Sequence, residues 1–156
     1  MPGEKRSARA RQAEGHASER FEFGGDAAGV REGLAKMFRR PILARLTEEC
    51  RGTAEIVLAE VLNNIAEHAY ARFSGRIEVM LTAHDTFLFV QTVDQGLPMP
   101  GEQLPGGKLG EIKDIQDLPE GGFGWYLIRS LTQELTYSRL DGANHLSFCI
   151  DVDYQR

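Results

Sequence analysis

The stretch GRIEVMLTAHDTFLFVQTVDQG, Gly75–Gly96, decides the fold class. Ile77, Val79 and Leu81 alternate with polar residues. After a turn at Asp85 the same period returns at Phe87, Phe89 and Gln91. Successive side chains of a strand point to opposite faces, so this pattern predicts two half-buried strands joined as a β-hairpin. A second hairpin is predicted near the C-terminus, where TYSRL and HLSFCIDV flank the turn DGAN, Asp141–Asn144.

Helices are expected between the hairpins. TEECRGTAEIVLAEVLNNIAEHAY, Thr47–Tyr70, reads as one long helix, with Gly52 and Thr53 as candidates for its start. Upstream, Asp26 is a candidate N-cap for a helix in which Val30, Leu34, Met37 and Phe38 share a face, and Pro41 ends it. GWYLIRSLTQEL, Gly124–Leu135, is expected to be helical, and Phe21–Phe23 a short strand. Hairpins alternating with helices argue for an α+β fold, a two-layer sandwich with helices on one face of a mostly antiparallel mixed sheet.

Composition narrows the class. The chain has 156 residues, enough for one domain. Residues 1–20 are charged and nearly free of large apolar side chains, which predicts a disordered tail before a domain at 21–156. The net charge of −5 argues against nonspecific nucleic-acid binding. No apolar run reaches the roughly 18–20 residues of a membrane helix, and no signal-peptide core follows the N-terminus, so a cytoplasmic protein is expected. Cys50 and Cys149 sit in apolar segments and read as reduced, buried thiols.

Three clusters are candidates for chemistry. On the long helix Glu60, Asn64 and His68 form an i, i+4, i+8 ridge opposite Leu58, Val61, Leu62, Ile65 and Ala69. Asn costs roughly 0.5–0.7 kcal/mol relative to Ala inside a helix. The pair Asn63–Asn64 therefore reads either as a solvated face or as a placed polar set. Ile56 and Val57 project to the ridge side too, which suggests that it borders a pocket. Asp94 ends an apolar strand just before Gly96. It reads either as a turn residue or as an acceptor for a ligand amine, with Gly96 admitting the ligand to the backbone. Gly121, Gly122 and Gly124 precede a helix, where free N–H groups and the dipole favour anions. Between the last two clusters, residues 96–122 hold seven glycines and four prolines and read as a long functional loop. GEQLPGGKLG, Gly101–Gly110, fails as a Walker loop: its lysine is one place late and Leu109 stands where Ser or Thr must reach the metal.

In that order, Glu60-x-x-x-Asn64, Asp94-x-Gly96 and Gly122-x-Gly124 resemble the N, G1 and G2 boxes of the Bergerat-fold ATPases, the gyrase, heat-shock chaperone, histidine kinase and MutL group. AEVLNNIAEHAY and GGFGWYLIRSL look most like the anti-sigma factor serine-protein kinases within it. The resemblance implies a histidine kinase-like ATPase domain that uses ATP and Mg²⁺. Asn64 would hold Mg²⁺, and Glu60 would be the general base toward a serine or threonine hydroxyl. Asp94, beside Gly96, would bind the adenine amine. Gly122 and Gly124 would offer N–H groups to the phosphates. Residues 97–121 would be an ATP lid with Lys108 as its phosphate contact.

The implied partners are a sigma factor or similar transcription regulator and a small antagonist protein as phosphorylation substrate, with no direct nucleic-acid or membrane contact and room for a homodimer. The alternative is a module that holds ATP, or no nucleotide, and sequesters its partner without kinase activity. Pro98 occupies the place of a second G1 glycine. His68 matches a family position and reads as structural.

Overall fold

The structure is a computed structural model that describes residues 17–106 and 122–156. The expectations for most of the N-terminal tail, for Lys108 and Gly121, and for most of the lid fall outside the described residues. Five strands form one sheet: β1 Ser18–Gly24, β2 Arg76–Ala83, β3 Phe87–Asp94, β4 Gln133–Leu140 and β5 Ala143–Asp151. Their order is β1-β2-β3-β5-β4, and every pairing is antiparallel. The helices are α1 Ala27–Arg39, α2 Pro41–Ala44, α3 Glu48–Asn64 and α4 Gly122–Leu131. The α+β fold expected from the hairpins is the observed one.

Alternation along the strands builds the core. Phe21, Phe23, Ile77, Val79, Leu81, Leu88, Val90, Phe148 and Ile150 point to one side, where Val30, Met37, Leu58 and Leu62 of the helices meet them. Burying one such side chain is worth roughly 1.5–3 kcal/mol. The α1 cap is as expected, with the Asp26 carboxylate accepting the Gly29 N–H. No disulfide joins the cysteines; Cys149 is buried as expected, while Cys50 is only half-buried. No helix among the described residues is long and apolar enough to cross a membrane.

Four element boundaries away from the candidate site differ from the sequence reading, and β5 begins at Ala143, within the expected turn. β1 starts at Ser18, inside the segment expected as tail, because its backbone pairs with β2 as far as Thr82. A short helix, Pro41–Ala44, follows the end of α1, since proline suits the first turn of a new helix. α3 starts before Gly52, at Glu48, because the Thr47 hydroxyl caps it by accepting the Cys50 N–H at 3.3 Å. α4 stops at Leu131, and Gln133–Leu135 belong to β4. A bulge between Gln133 and Thr136, with Glu134 at φ 58°, makes that stretch a strand whose pattern looks helical.

Candidate functional site

Helix α3 buries Ala54, Val57, Leu58, Val61 and Leu62, so Val57 belongs to the core and does not project to the ridge side as expected. Ile56 is exposed. Glu60 and Asn64 are half-buried on the ridge, and Asn63 and His68 are exposed. The helix then widens into a π-helical turn, Ile65–Ala69, in which the Tyr70 N–H reaches back to the Ile65 carbonyl at 3.1 Å. Such turns place one extra residue in the helix and recur at functional sites. Here the Ala69 carbonyl at its end accepts the Leu97 N–H at 2.7 Å. A Cβ on Gly96 would stand 2.4 Å from that carbonyl oxygen, so only glycine lets the loop after β3 lie against the helix.

Asp94 is buried at the end of β3, opposite Asn144 of β5. Its Oδ1 accepts the Gly96 N–H at 2.9 Å and an Asn144 Nδ2–H at 2.8 Å. Oδ2 accepts no hydrogen bond among the described residues. Burial pushes the carboxyl above its ordinary value, and the Asn144 and Gly96 bonds and the positive field of Arg139 and His145 offset part of that rise. Asn144 is itself saturated. Its Nδ2 also donates to the Leu97 carbonyl at 2.9 Å, while its Oδ1 accepts from Tyr137 Oη at 2.6 Å and Arg139 at 3.0 Å. Arg139 donates as well to the Gly96 carbonyl at 2.7 Å.

The start of α4 meets the ridge of α3. A Cβ on Gly124 would come within 2.5 Å of Glu60 Oε2 and 3.9 Å of Asn64 Nδ2. Glycine there lets the first turn of α4 approach both polar side chains. Asn64 Nδ2 is buried without a hydrogen-bond partner among the described residues. A half-turn of an amide exchanges its nitrogen and oxygen, so the same position offers either a donor or an acceptor. Among the described residues no three carboxylate, histidine or cysteine side chains gather to hold a metal.

A cavity of about 470 Å³ joins these parts. Asn64 and His68 line it from the helix side, Asp94 and Asn144 from the sheet, and Trp125 from α4. Pro98 lines it as well, on the loop after β3. Glu60 stands outside the lining, one turn from Asn64 and against Gly124. Of the residues expected to act together, the structure thus gathers Asn64 and Asp94 around one space, with Gly96 behind its wall and Glu60 and Gly124 beside it. Asn144, Tyr137 and Arg139 were not anticipated, since DGAN reads as a turn and TYSRL as an ordinary strand. Only the strand register puts Asn144 across from Asp94.

A hairpin-based antiparallel sheet with an acidic strand end, an Asn–Glu helix ridge and a glycine-led helix around one cavity defines the class. The chain belongs to the histidine kinase-like ATPase domain family, which it matches over residues 25–150. Among individual proteins it is similar to the serine-protein kinase RsbW of Bacillus cereus (strain AH820) and of Bacillus anthracis, each 28% identical over 90 residues. The protein of the same name from Bacillus cereus (strain B4264) is 29% identical over 91 residues. Each alignment covers 56% of this chain and 56% of the relative, so the chain spans about half the length of the curated relatives it matches.

Proposed function

We propose that the cavity binds ATP with Mg²⁺ and that the protein transfers the terminal phosphoryl group to a serine or threonine hydroxyl of a protein partner. The observation that carries this reading is the open Oδ2 of Asp94 at the inner end of the cavity, held by a carboxylate whose other oxygen is fully engaged. A single fixed acceptor suits the exocyclic amine of adenine. Asn64, with its unpartnered buried amide nitrogen, fits an amide that turns its oxygen to Mg²⁺, whose remaining ligands are phosphate oxygens and waters. When bound, Mg²⁺ neutralises phosphate charge and aligns the transferred group. Glu60, close to the α4 start, is the general base toward the attacking hydroxyl. Gly124 puts no side chain between that turn and Glu60 and Asn64, which leaves room there for phosphates to meet the N–H groups of the helix start. Gly122 and Lys108 are assigned to the phosphates on the resemblance alone, as are the 97–121 lid and the domain bounds 21–156. The partner assignment, a transcription regulator such as a sigma factor and its small antagonist, rests on the same resemblance.

One observation favours a second reading. Pro98 lines the cavity where the resemblance to the G1 box implies a second glycine, and it offers no N–H. A module that holds nucleotide and sequesters its partner without transfer fits that feature. Glu60→Gln separates the two. As a kinase, the protein should keep its affinity for Mg-ATP in this variant and lose transfer to a partner protein by ~10²–10⁴-fold, measured with labelled ATP. Wild-type transfer in Glu60→Gln would end the proposed mechanism, and absence of transfer in the unmodified protein favours the module.

A further inference from the structure

The outer wall of the cavity has little regular structure of its own. Leu97, Pro98, Met99, Pro100 and Pro105 line it, and the stretch contains only the 3₁₀ turn Pro100–Glu102. Its backbone is held by side chains from elsewhere. At the near end three converge: Arg139 on the Gly96 carbonyl, Asn144 on the Leu97 carbonyl, and the Tyr137 hydroxyl on the Met99 N–H at 3.1 Å. At the far end Arg129 of α4 donates two N–H groups to the Pro105 carbonyl, at 3.0 and 2.8 Å. Among the described residues no other side chain bonds to the backbone between Pro100 and Gly106.

We propose that Arg129 is the positioning residue that holds the Pro100–Pro105 wall against α4 and thereby sets how long a nucleotide stays in the cavity. The ligand in this inference rests on the proposed ATP reading, and the geometry rests on the wall alone. The Asp94 end has three side chains and keeps its shape without Arg129, so recognition is left intact. The far end has one. A charge-assisted pair of bonds to a single carbonyl is stronger than a neutral contact, but its exposure to water weakens it. Loss of Arg129 therefore frees the wall locally and leaves the core untouched.

Trp125, the only tryptophan, lies four residues before Arg129 on α4, is 7% exposed and lines the same cavity. It reports on the wall without any ligand. Arg129→Met keeps an unbranched aliphatic stem and removes every side-chain N–H donor, and Arg129→Lys restores charge and a single donor group. In ligand-free protein, acrylamide quenching of Trp125 should rise about twofold in Arg129→Met. With Mg²⁺ present, a fluorescent ADP analogue chased by unlabelled ADP should leave that variant about three- to tenfold faster, its association rate staying within about twofold. Arg129→Lys should fall between on both measures. Wild-type quenching in Arg129→Met overturns the proposal, and so does unchanged release from a variant whose quenching has risen. Raised quenching in a protein that binds no ADP analogue supports the wall assignment and removes the ATP reading instead.

Discussion

At the inner end of the cavity the Asn144 amide has all four hydrogen-bonding positions filled, while at the helix end the Asn64 amide has a buried nitrogen with no partner. The same side chain is used in two ways. The Asn144 network holds a carboxylate and a loop in place before any ligand arrives, which reduces what binding must order. The Asn64 end carries an unmet bonding requirement in the free protein, and a bound group can meet it. Under the proposed ATP reading, recognition is thus prepared in the fold and the Mg²⁺ end is left to be completed.

The largest expected effect comes from breaking the prepared end at its acceptor. Asp94→Asn can keep both bonds made to Oδ1, because an amide oxygen also accepts from Gly96 and Asn144. Its NH₂ would then face the amine of the proposed adenine donor to donor. Affinity for ADP, measured by calorimetry, should fall roughly ten- to hundredfold, while the free protein keeps or gains thermal stability because a buried charge is gone. Binding as tight as wild type would show that adenine is recognised elsewhere.

The next comparison makes the same substitution at both ends. Asn144→Ala leaves Asp94 Oδ1 with the Gly96 N–H alone and takes away the Leu97 carbonyl's donor and the Tyr137 hydroxyl's acceptor, and should cost about 1–3 kcal/mol, or roughly 2–4 °C in Tm per kcal/mol for a chain of this size. Asn64→Ala removes a group that bonds to nothing at its nitrogen, and should move stability by no more than about 0.5 kcal/mol while weakening Mg²⁺-dependent nucleotide binding. Equal losses of Tm in the two variants would contradict the contrast between the ends.

The smallest effect is in pH dependence, and its two parts run in opposite directions. The folded-state carboxyl of Asp94 is raised, so the folded protein holds this proton where the unfolded chain has lost it. Its contribution to stability is fully present below the unfolded value and is lost as pH rises through the folded one. Adenine recognition needs the unprotonated acceptor, so ADP affinity falls as pH drops through that same folded value. Thermal melts and ADP titrations from acid to neutral pH, with Asp94→Asn as the flat reference, would test this. Identical pH slopes in both proteins would remove Asp94 as the source.

Much of the α+β order was legible because β2 and β5 alternate and α1 and α3 carry amphipathic faces, although β3 turns Leu88 and Val90 to the core and not the Phe87, Phe89 and Gln91 whose period the sequence suggests. What escaped the sequence were features decided by tertiary contact. Gly52 reads as a helix boundary, yet Thr47 caps a turn earlier. Gln133–Leu135 read as helix because Gln, Glu and Leu favour it, yet pairing with β5 and the bulge at Glu134 claim them for the sheet. In the candidate site, Glu60, Asn64, Asp94, Gly96 and Gly124 were legible as candidates because their types and spacings are unusual within their elements. Asn144 and Arg129 were missed because nothing local marks them: one hides in a turn-like tetrapeptide, and the other is a surface arginine whose partner lies 24 positions away.

The bulge in β4 has a consequence for the protein in crowded solution. A sheet with two open edges can grow by adding strands from neighbouring molecules, the route to fibres. Here β4 is kinked at Gln133–Thr136 with Glu134 at positive φ, which spoils the register an incoming strand needs. The opposite edge, β1, carries Glu19, Arg20 and Glu22, tied to Arg40, Glu78 and Arg76. These pairs add little to folding stability, but they place fixed charge along the other edge of the sheet as described. The irregularity that makes β4 hard to recognise as a strand also discourages it from recruiting another one.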